Sequence, residues 1–327
     1  MTEMIRVAVV GATGVVGETI LRVLEERRVP VGRVGKFASR ARDGVEAASS
    51  EALRAFDVVF FAGGEDASEA YAPALLERGV VVIDNSSTFR MRDAVPLVVP
   101  EVNASSVSPN DRLFPVANCT AIILCTALAP IADAAGLRSV RVATYQAASG
   151  AGRAGLDELS AGERALVVGE SEPPATVFPA HLARNVIPQV GRIDASGYCG
   201  EEEKVREETR KMLGLPSLLV SATTVRVPVR TAHSEAVWFE TEQPTTLDAL
   251  RRALAGAPGV VFHEEGIVTP REVEGQDLVH VARLRREDAS SDRHFVLWCA
   301  GDQLRKGAAT NAVQILELLL ERGYLAK

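Results

Sequence analysis

A glycine-rich turn near the start of the chain constrains the fold more than any other feature. Residues 5–10, IRVAVV, are almost all apolar and mostly β-branched, and GATGVVG follows at residues 11–17. Residues 14–28 then carry apolar side chains at helical spacing, with charges opposite. Glycines between a strand and a helix allow a tight turn and let the backbone approach a pyrophosphate. The spacing GxxGxxG is less specific than GxGxxG, so the turn predicts a dinucleotide site but leaves open a turn without a ligand.

Strands and helices alternate over the first 120 residues. Buried strands are predicted at residues 33–38, 57–63 and 79–87. This alternation predicts a parallel, doubly wound sheet. An apolar helix is expected at residues 121–136, and the strands that follow show partial period-2 alternation, which indicates a mixed sheet with one covered face. These strands are expected at residues 139–149, 218–229, 234–242, 277–287 and 294–302.

Three further segments complete the predicted organisation. Residues 201–213 have the pattern of a charged amphipathic helix, and residues 307–323 that of a closing helix. Residues 151–180 are rich in Gly, Pro and Glu, so we expect an exposed excursion there. At about 150 residues per domain, the length of 327 residues predicts two domains.

Composition narrows the partners and sites to be considered. The chain has 36 basic and 43 acidic residues, a net charge of −7, and no basic stripe, so neither nucleic acid nor an anionic membrane is expected as a partner. With no signal-peptide layout and no apolar run of membrane-spanning length, we expect a cytoplasmic protein. The four cysteines form no CxxC pair and no cluster with histidine, which argues against a metal site and a disulfide framework.

The end of the second predicted strand indicates which dinucleotide is bound. An NAD site usually has Asp or Glu there, to hold the ribose 2′-hydroxyl. Here the strand is followed by Ser39, Arg40 and Arg42, and the first acid is Asp43. Hydroxyl and guanidinium groups suit a 2′-phosphate, so the sequence predicts NADP. The alternative is that both arginines are solvated loop charges.

Cys119 has the setting of a reactive thiol. It follows an apolar strand and begins a helix, and a helix N-terminus lowers the pKa of a thiol. A structural thiol is the alternative. A nucleophile needs a base, and His233 lies between two predicted strands, seven residues after Arg226. An arginine inside an apolar strand is costly unless it binds an anion, so Arg226 and His233 are the natural partners to consider.

Several separated motifs carry a resemblance to one family. They are VAVVGATGVVGETIL, VVVIDNSSTFRM, VPLVVPEVNA, ANCTAIIL, TYQAASGAG, VSATTVRVPV, AHSEAV and GDQLRKGAATNAVQI. Over nearly its whole length the chain resembles the aspartate-semialdehyde dehydrogenases of the bacterial short-chain type. One departure is Ala117-Asn118-Cys119-Thr120, where the family commonly has Pro-Asn-Cys-Ser. The hydroxyl and the small side chain are kept, so we expect a small geometric effect.

The resemblance implies a role for each matching residue. Cys119 stands where the family has its nucleophile, His233 where it has the acid/base, and Gln146 where a glutamine orients the substrate or intermediate. The positions of the family's substrate and phosphate contacts correspond to Arg226, Glu201, Lys204, Arg90 and Asn118. The expected cofactor contacts, including those of the glycine turn and the second strand, are Gly11, Thr13, Gly14, Val15, Val16, Gly17, Ser39, Arg40, Arg42, Ser149, Gly150 and Gln303.

The resemblance also implies an architecture and a reaction. The fold would be glyceraldehyde-3-phosphate dehydrogenase-like, with residues 1–119 and 306–327 forming a Rossmann-like NADP-binding domain and residues 120–305 a catalytic and dimerisation domain. The reaction would be the reversible reductive dephosphorylation of L-aspartyl 4-phosphate to L-aspartate 4-semialdehyde by NADPH, through a thioester on Cys119. It belongs to the biosynthesis of lysine, threonine and methionine, and the enzyme would be a homodimer or homotetramer.

Three alternatives remain open at this point. A related acyl-phosphate reductase, of the N-acetylglutamyl or glyceraldehyde-phosphate type, would share the cofactor domain and the cysteine. A catalytically silent paralogue is a second possibility, although Cys119, Gln146, Arg226 and His233 are all present. A cofactor-independent thiol hydrolase is the third, and the glycine turn counts against it.

Overall fold

The computed structural model describes residues 4–325. The chain folds into two compact units, and the first of them is discontinuous. One unit ends at Ala117 and resumes at Ala308, whereas the other runs from Asn118 to Gly307. No helix within the described range is both long and apolar enough to cross a membrane.

Each unit is built around one six-stranded sheet. The strands are β1 (Ile5–Val10), β2 (Val31–Ala38), β3 (Glu46–Ala47), β4 (Val58–Phe61), β5 (Val81–Asp84), β6 (Leu113–Pro115), β7 (Ser139–Gln146), β8 (Leu219–Arg226), β9 (His233–Glu240), β10 (Val260–His263), β11 (Val279–Arg286) and β12 (His294–Gly301). The α-helices are α1 (Val15–Glu26), α2 (Ser50–Leu53), α3 (Glu65–Leu76), α4 (Pro100–Asn103), α5 (Cys119–Ala135), α6 (Gly152–Val168), α7 (Gly200–Leu213), α8 (Leu247–Ala255), α9 (Pro270–Val273) and α10 (Thr310–Glu321).

The first sheet confirms the predicted doubly wound architecture. Its order is β3-β2-β1-β4-β5-β6, and every pairing is parallel. The central strands β1, β4 and β5 are the apolar runs of the sequence, buried because helices cover both faces of a parallel sheet. The closing helix α10 belongs to this unit, where Asn311 Nδ2 donates to the carbonyl of Val98 at 2.9 Å.

The second sheet confirms the predicted mixed sheet. Its order is β10-β11-β12-β9-β7-β8, with parallel pairs at both ends and antiparallel pairs between them. One face carries Val142, Val237 and Leu297, which pack with Ile123 and Leu128 of α5 in a single core. This packing explains the apolar character of α5, which is buried over most of its length.

The excursion expected at residues 151–180 is exposed over much of its length, but it contains a helix and a small core that its composition did not predict. Helix α6 runs from Gly152 to Val168, and Leu159 packs with Phe178 and Leu182 in a small core of its own. The glycines of this segment serve close packing: a Cβ at Gly162 would lie 3.1 Å from the Cβ of Ala183. The composition misled because glycine marks close approach as well as loops.

Candidate active site

Most of the expected catalytic and substrate residues lie at the ends of elements in the second unit. Cys119 is the first residue of α5, Gln146 ends β7, Arg226 ends β8 and His233 begins β9. The register of the sheet pairs Gln146 with Arg226. Because β7 and β8 are parallel and β9 runs antiparallel to β7, Gln146, Arg226 and His233 all lie at the same end of these neighbouring strands.

Asn118 joins the start of α5 to the rest of this site. Its Oδ1 accepts hydrogen bonds from the N–H groups of Thr120 and Ala121 at 3.0 and 3.1 Å, the arrangement of a helix N-cap. Its Nδ2 donates to Glu201 Oε1 at 2.9 Å, and the same oxygen accepts from Gln146 Nε2 at 3.0 Å. Asn118, expected as a phosphate contact, therefore uses both ends of its amide to fix Cys119 and Glu201.

Helix α7 also binds the backbone of the Asn118 cap, through a residue that was not expected from the sequence. The N–H of Asn118 donates to Glu208 Oε2 at 2.5 Å, and Glu208 is buried. Glu201 and Glu208 are seven residues apart, two helical turns, so they share one face of α7. That spacing is a signal the sequence did contain. Lys204 lies one turn after Glu201 and is half-buried.

His233 is a buried, neutral imidazole in this structure. Its Nδ1 accepts a hydrogen bond from the N–H of Ala147 at 3.1 Å, so the single ring proton resides on Nε2. Burial and the nearby charge of Arg226 both lower the pKa of His233 well below its ordinary value. Nε2 is buried and has no hydrogen-bond partner among residues 4–325. His233 thus presents a donor that is ready for a ligand.

Arg226 is buried beside His233 and is held by the same backbone residue. Its Nη1 donates to the carbonyl of Ala147 at 2.5 Å, and its guanidinium lies 5.7 Å from the centre of the Phe178 ring. Burial lowers the pKa of Arg226, whereas the charges of Cys119 and Glu201 raise it. The guanidinium of Arg226, the thiol of Cys119 and the carboxylate of Glu201 are therefore close enough for their charges to interact. Ala147 acts through its backbone, so no side-chain pattern could have revealed it.

Two glycines leave room around these groups. A Cβ at Gly150 would lie 2.8 Å from Arg226 Nη1 and 3.4 Å from His233 Nε2. A Cβ at Gly307 would lie 2.8 Å from the Cβ of Cys119. Gly150 was expected to contact the cofactor, and any larger residue at this position would crowd both Arg226 and the buried Nε2 of His233. Gly307 was not singled out from the sequence.

Ser149 and Gln303, also expected to contact the cofactor, are bonded to each other. Gln303 Nε2 donates to Ser149 Oγ, and Gln303 Oε1 accepts from the N–H of Ala232 at 2.7 Å. Both side chains are buried, with Gln303 only 2% exposed. The amide of Gln303 is therefore engaged at both ends by protein groups.

The glycine turn of the first unit has the form of a phosphate cradle. A Cβ at Gly11, where φ is +84°, would lie 2.6 Å from the backbone of Gly63, and one at Gly17 would lie 2.2 Å from the carbonyl oxygen of Gly11. Gly14, the N-cap of α1, contributes no side-chain cap, and Thr13 beside it is half-buried. The first N–H groups of α1, which include those of Val15 and Val16, are left without a side-chain cap, as a pyrophosphate site requires.

The residues expected to bind a 2′-phosphate lie just past β2. Ser39, Arg40 and Arg42 are exposed, and neither guanidinium has a partner within the part of the chain that the structure describes. No acid replaces them at the end of the strand, since Asp43 comes only after Arg42. Arg90 also belongs to the first unit, so the second unit does not bring it together with Cys119; its Nη2 donates to the carbonyl of Asn85 at 3.0 Å.

Cys119 differs from the other three thiols. Cys125 and Cys299 are fully buried, and burial raises the pKa of each well above its ordinary value. Cys199 is buried and its Sγ lies 3.1 Å from Thr224 Oγ1. Cys119 alone is partly accessible.

The first unit has the parallel sheet and the glycine turn of a dinucleotide-binding domain. The second unit presents a partly accessible thiol together with a buried histidine and a buried arginine. This combination defines a dehydrogenase of the aldehyde or acyl-substrate class. Comparison with known families agrees. Residues 6–109 match the family model of the semialdehyde dehydrogenase NAD binding domain, and residues 128–306 that of the semialdehyde dehydrogenase dimerisation domain. The chain belongs to the aspartate-semialdehyde dehydrogenase family, an oxidoreductase family that uses a nicotinamide cofactor.

The similarity extends over whole chains. The aspartate-semialdehyde dehydrogenase of Aquifex aeolicus (strain VF5) is 41% identical over 338 residues, which cover 98% of this chain and 99% of that protein. The crystal structure of aspartate semialdehyde dehydrogenase II from Vibrio cholerae gives a TM-score of 0.92 at 39% identity, covering 98% of this chain and 99% of that one. The same Vibrio cholerae protein has been solved in complex with ASA, with the same TM-score of 0.92. The family resemblance inferred from the motifs is confirmed.

Proposed function

We propose that this chain catalyses the reversible reductive dephosphorylation of L-aspartyl 4-phosphate to L-aspartate 4-semialdehyde, with NADPH as reductant. The step belongs to the biosynthesis of lysine, threonine and methionine. The observation that carries the proposal is the grouping of Cys119, His233 and Arg226 in one unit, with the buried Nε2 of His233 unpartnered among the described residues.

The substrate is recognised at its amino-acid end. Arg226 is a buried cation whose planar guanidinium can pair with the α-carboxylate through two hydrogen bonds. Glu201, which Asn118 and Gln146 hold in place, supplies the negative charge for the α-amino group. Lys204, one turn after Glu201 on the same helix, provides positive charge for the phosphate. The separation between this clamp and the Cys119 sulfur selects the length of the acyl chain.

Cys119 acts as the nucleophile. The N-terminus of α5 and the charge of Arg226 both stabilise the thiolate. The sulfur attacks the acyl carbon, the bond to phosphate breaks, and a thioester of Cys119 remains. NADPH, when bound, supplies the hydride that reduces this carbonyl. The tetrahedral oxyanion then collapses to the aldehyde and expels the Cys119 sulfur, which the same two groups stabilise.

His233 serves the oxygen on which negative charge develops. Because Nδ1 accepts from Ala147, the ring donates from Nε2, and a donor at that point stabilises an oxyanion without ionising. Its role as acid/base, which the family resemblance implies, requires a second proton on the ring at Nδ1 and hence release of the bond to Ala147.

We place the cofactor on the first unit and prefer NADP to NAD. The cradle of Gly11, Gly14 and Gly17 fits the pyrophosphate, and exposed Arg40 and Arg42 fit a 2′-phosphate better than a 2′-hydroxyl. We further propose that the second unit is the catalytic and dimerisation domain and that the enzyme forms a homodimer or a dimer of dimers in the cytoplasm. Supporting self-association, the rings of Tyr145 and Trp298 contact each other on the sheet face opposite the α5 core, with their centres 5.4 Å apart and their planes tilted by 42°, and Tyr145 is 37% exposed.

The direct test is an assay of NADP⁺ reduction that depends on both L-aspartate 4-semialdehyde and inorganic phosphate. We expect activity with that pair and little with NAD⁺. N-acetylglutamate semialdehyde and glyceraldehyde 3-phosphate test the related acyl-phosphate reductases in the same assay. Activity with either of these in preference to L-aspartate 4-semialdehyde would reassign the substrate, and inactivity with all three would favour a silent paralogue.

A further inference from the structure

The backbone immediately before His233 has an unusual conformation. Ala232 has φ +70°, in the left-handed region that residues with a Cβ rarely adopt, and it is fully buried. His233 follows as the first residue of β9. Any relaxation of Ala232 towards negative φ would therefore rotate the start of β9 and redirect the imidazole.

The side chain of Gln303 hydrogen-bonds to the backbone of this strained residue. Gln303 Oε1 accepts the N–H of Ala232 at 2.7 Å, and Gln303 Nε2 donates to Ser149 Oγ. Ser149 stands two residues after Ala147, whose N–H binds His233 Nδ1 at 3.1 Å. Gln303 thus connects the two short segments that fix His233, one through its main chain and the other through its ring.

Gln303 is itself firmly placed. The carboxylate of Asp302 accepts the N–H groups of Leu304 and Arg305 at 2.8 and 3.2 Å, and that of Gly275 at 2.8 Å. Asp302 and Gln303 are 3% and 2% exposed. A rigid turn therefore carries an amide whose oxygen and nitrogen are each bonded to another part of the protein.

We propose that Gln303 is a positioning residue that holds the left-handed Ala232 and the Ser149 segment, and through them aims His233 Nε2 into the active site. The family resemblance assigned Gln303 to the cofactor instead, and the two roles predict different kinetics. The kinetic part of the test rests on the proposed function; the spectroscopic part does not.

The central variant is Gln303→Met, which keeps the length and removes both hydrogen bonds. Misplacement of a reacting group by about 1 Å can cost about a hundredfold in rate, so we expect kcat to fall by roughly ten- to a hundredfold. The KM for L-aspartate 4-semialdehyde and the Kd for NADP⁺ should both stay within about twofold, since Gln303 contacts neither ligand in this proposal. Gln276→Met is the matched control: Gln276 also bonds a histidine, His280, at 3.0 Å, but away from the site, and its kcat should be that of wild type.

Two further variants separate positioning from general destabilisation. Gln303→Met combined with Ala232→Gly should recover several-fold in kcat over Gln303→Met alone, because glycine adopts positive φ without strain. Gln303→Glu keeps the acceptor for Ala232 and should retain more kcat than Gln303→Met; it also serves if Gln303→Met does not fold.

A spectroscopic measurement reads His233 without turnover. In protein labelled with ¹⁵N-histidine, with the His233 signals assigned from a His233→Gln variant, wild type should show the tautomer protonated at Nε2. Gln303→Met or Gln303→Glu should show this tautomer weakened in the order of their losses in kcat. Wild type without activity on L-aspartate 4-semialdehyde would contradict the proposed function, and this measurement would still decide the role of Gln303.

The opposite outcomes are equally plain. A Kd for NADP⁺ raised at least about tenfold with kcat unchanged would assign Gln303 to the cofactor. Loss of kcat with an unaltered His233 tautomer, or no recovery on adding Ala232→Gly, would overturn the role through Ala232.

Discussion

Helices α1 and α5 both follow a strand of the first sheet along the chain, but their N-termini are completed in different ways. The N-cap of α1 is Gly14, which contributes no side chain, so the first N–H groups remain available. The N-cap of α5 is Asn118, whose Oδ1 takes two of these N–H groups at 3.0 and 3.1 Å. One helix start is left open for an external anion, and the other is closed by its own chain.

This difference matches what each helix start has to hold. A phosphate arrives from solution and needs free donors together with the helix dipole. Cys119, the proposed nucleophile, is part of α5 itself, so its thiolate would need the helix dipole and a fixed position as well. Asn118 provides that fixed position because Glu201 and Glu208 of α7 hold both its side chain and its backbone. In the proposed mechanism, the open end of α1 would bind the dinucleotide and the capped end of α5 would carry the covalent chemistry.

The largest expected effect tests the capped helix. Cys119→Ser places a hydroxyl where the thiolate stood, and a serine there stays protonated. We expect the phosphate-dependent reduction of NADP⁺ to fall by roughly 10³-fold or more, with NADPH binding unchanged. Steady-state rates and a binding titration on the same preparation measure both.

Alkylation sharpens the same point. Limiting iodoacetamide near neutral pH should modify Cys119 first and abolish activity in parallel, because Cys125, Cys199 and Cys299 are buried. Phosphate should slow the reaction. Peptide mapping that finds inactivation tracking one of the buried cysteines while Cys119 stays free would contradict the proposed nucleophile.

The second prediction concerns the glycine turn at the open N-terminus of α1. In Gly17→Ala the new Cβ would lie 2.2 Å from the carbonyl oxygen of Gly11, so the turn must shift. We expect the free energy of unfolding to fall by about 1–3 kcal/mol and NADPH binding to be lost. Gly14→Ala is the stability control, since its Cβ meets nothing closer than 3.4 Å. Equal unfolding free energies in the two variants would show that the turn is not tightly packed.

The two helix ends also show what the sequence can and cannot predict. The glycine turn, the buried strands and the position of Cys119 at a helix start follow from local patterns, and the structure confirms this part of the fold. Arg226, Gln146 and Glu201 were expected through the family motifs, and the structure places them in the same unit as Cys119.

The remainder depends on contacts without a side-chain signature. Ala147 holds both His233 and Arg226 through backbone atoms, so its methyl group gives no indication of its role. Ala232 carries a positive φ that usually favours glycine or asparagine, and its N–H donates to Gln303, a contact between residues 71 positions apart that no local pattern reveals. Helix α6 was missed because its glycines, which permit close packing, have the composition of a loop.

The third prediction concerns the two exposed arginines that follow β2, in the same unit as the open helix α1. Replacing Arg40 and Arg42 together by Ala should raise the dissociation constant of NADPH by about tenfold or more. A hydrogen bond to a charged group contributes about 1.5–3 kcal/mol before solvent screening, which reduces this contribution at these exposed positions. NADH should be affected little, because it lacks the 2′-phosphate. Dissociation constants for both dinucleotides provide the measurement. A wild type that already prefers NADH would contradict the assignment of these arginines.

The last and smallest effect compares two capped helices. Asn118→Ala removes the cap of α5, and Thr246→Ala removes that of α8, where Thr246 Oγ1 accepts from the N–H of Ala249 at 3.2 Å. Both should lower the free energy of unfolding by about 1 kcal/mol, the usual contribution of an N-cap. Only Asn118→Ala should also lower kcat/KM, because it alone removes a hydrogen bond to Glu201 and the cap at the start of α5, where Cys119 lies. Denaturant titrations and steady-state kinetics on the pair measure this. If both variants lose stability and neither loses activity, the cap of α5 contributes to stability only. The difference between the open end of α1 and the capped end of α5 would then have no role in catalysis.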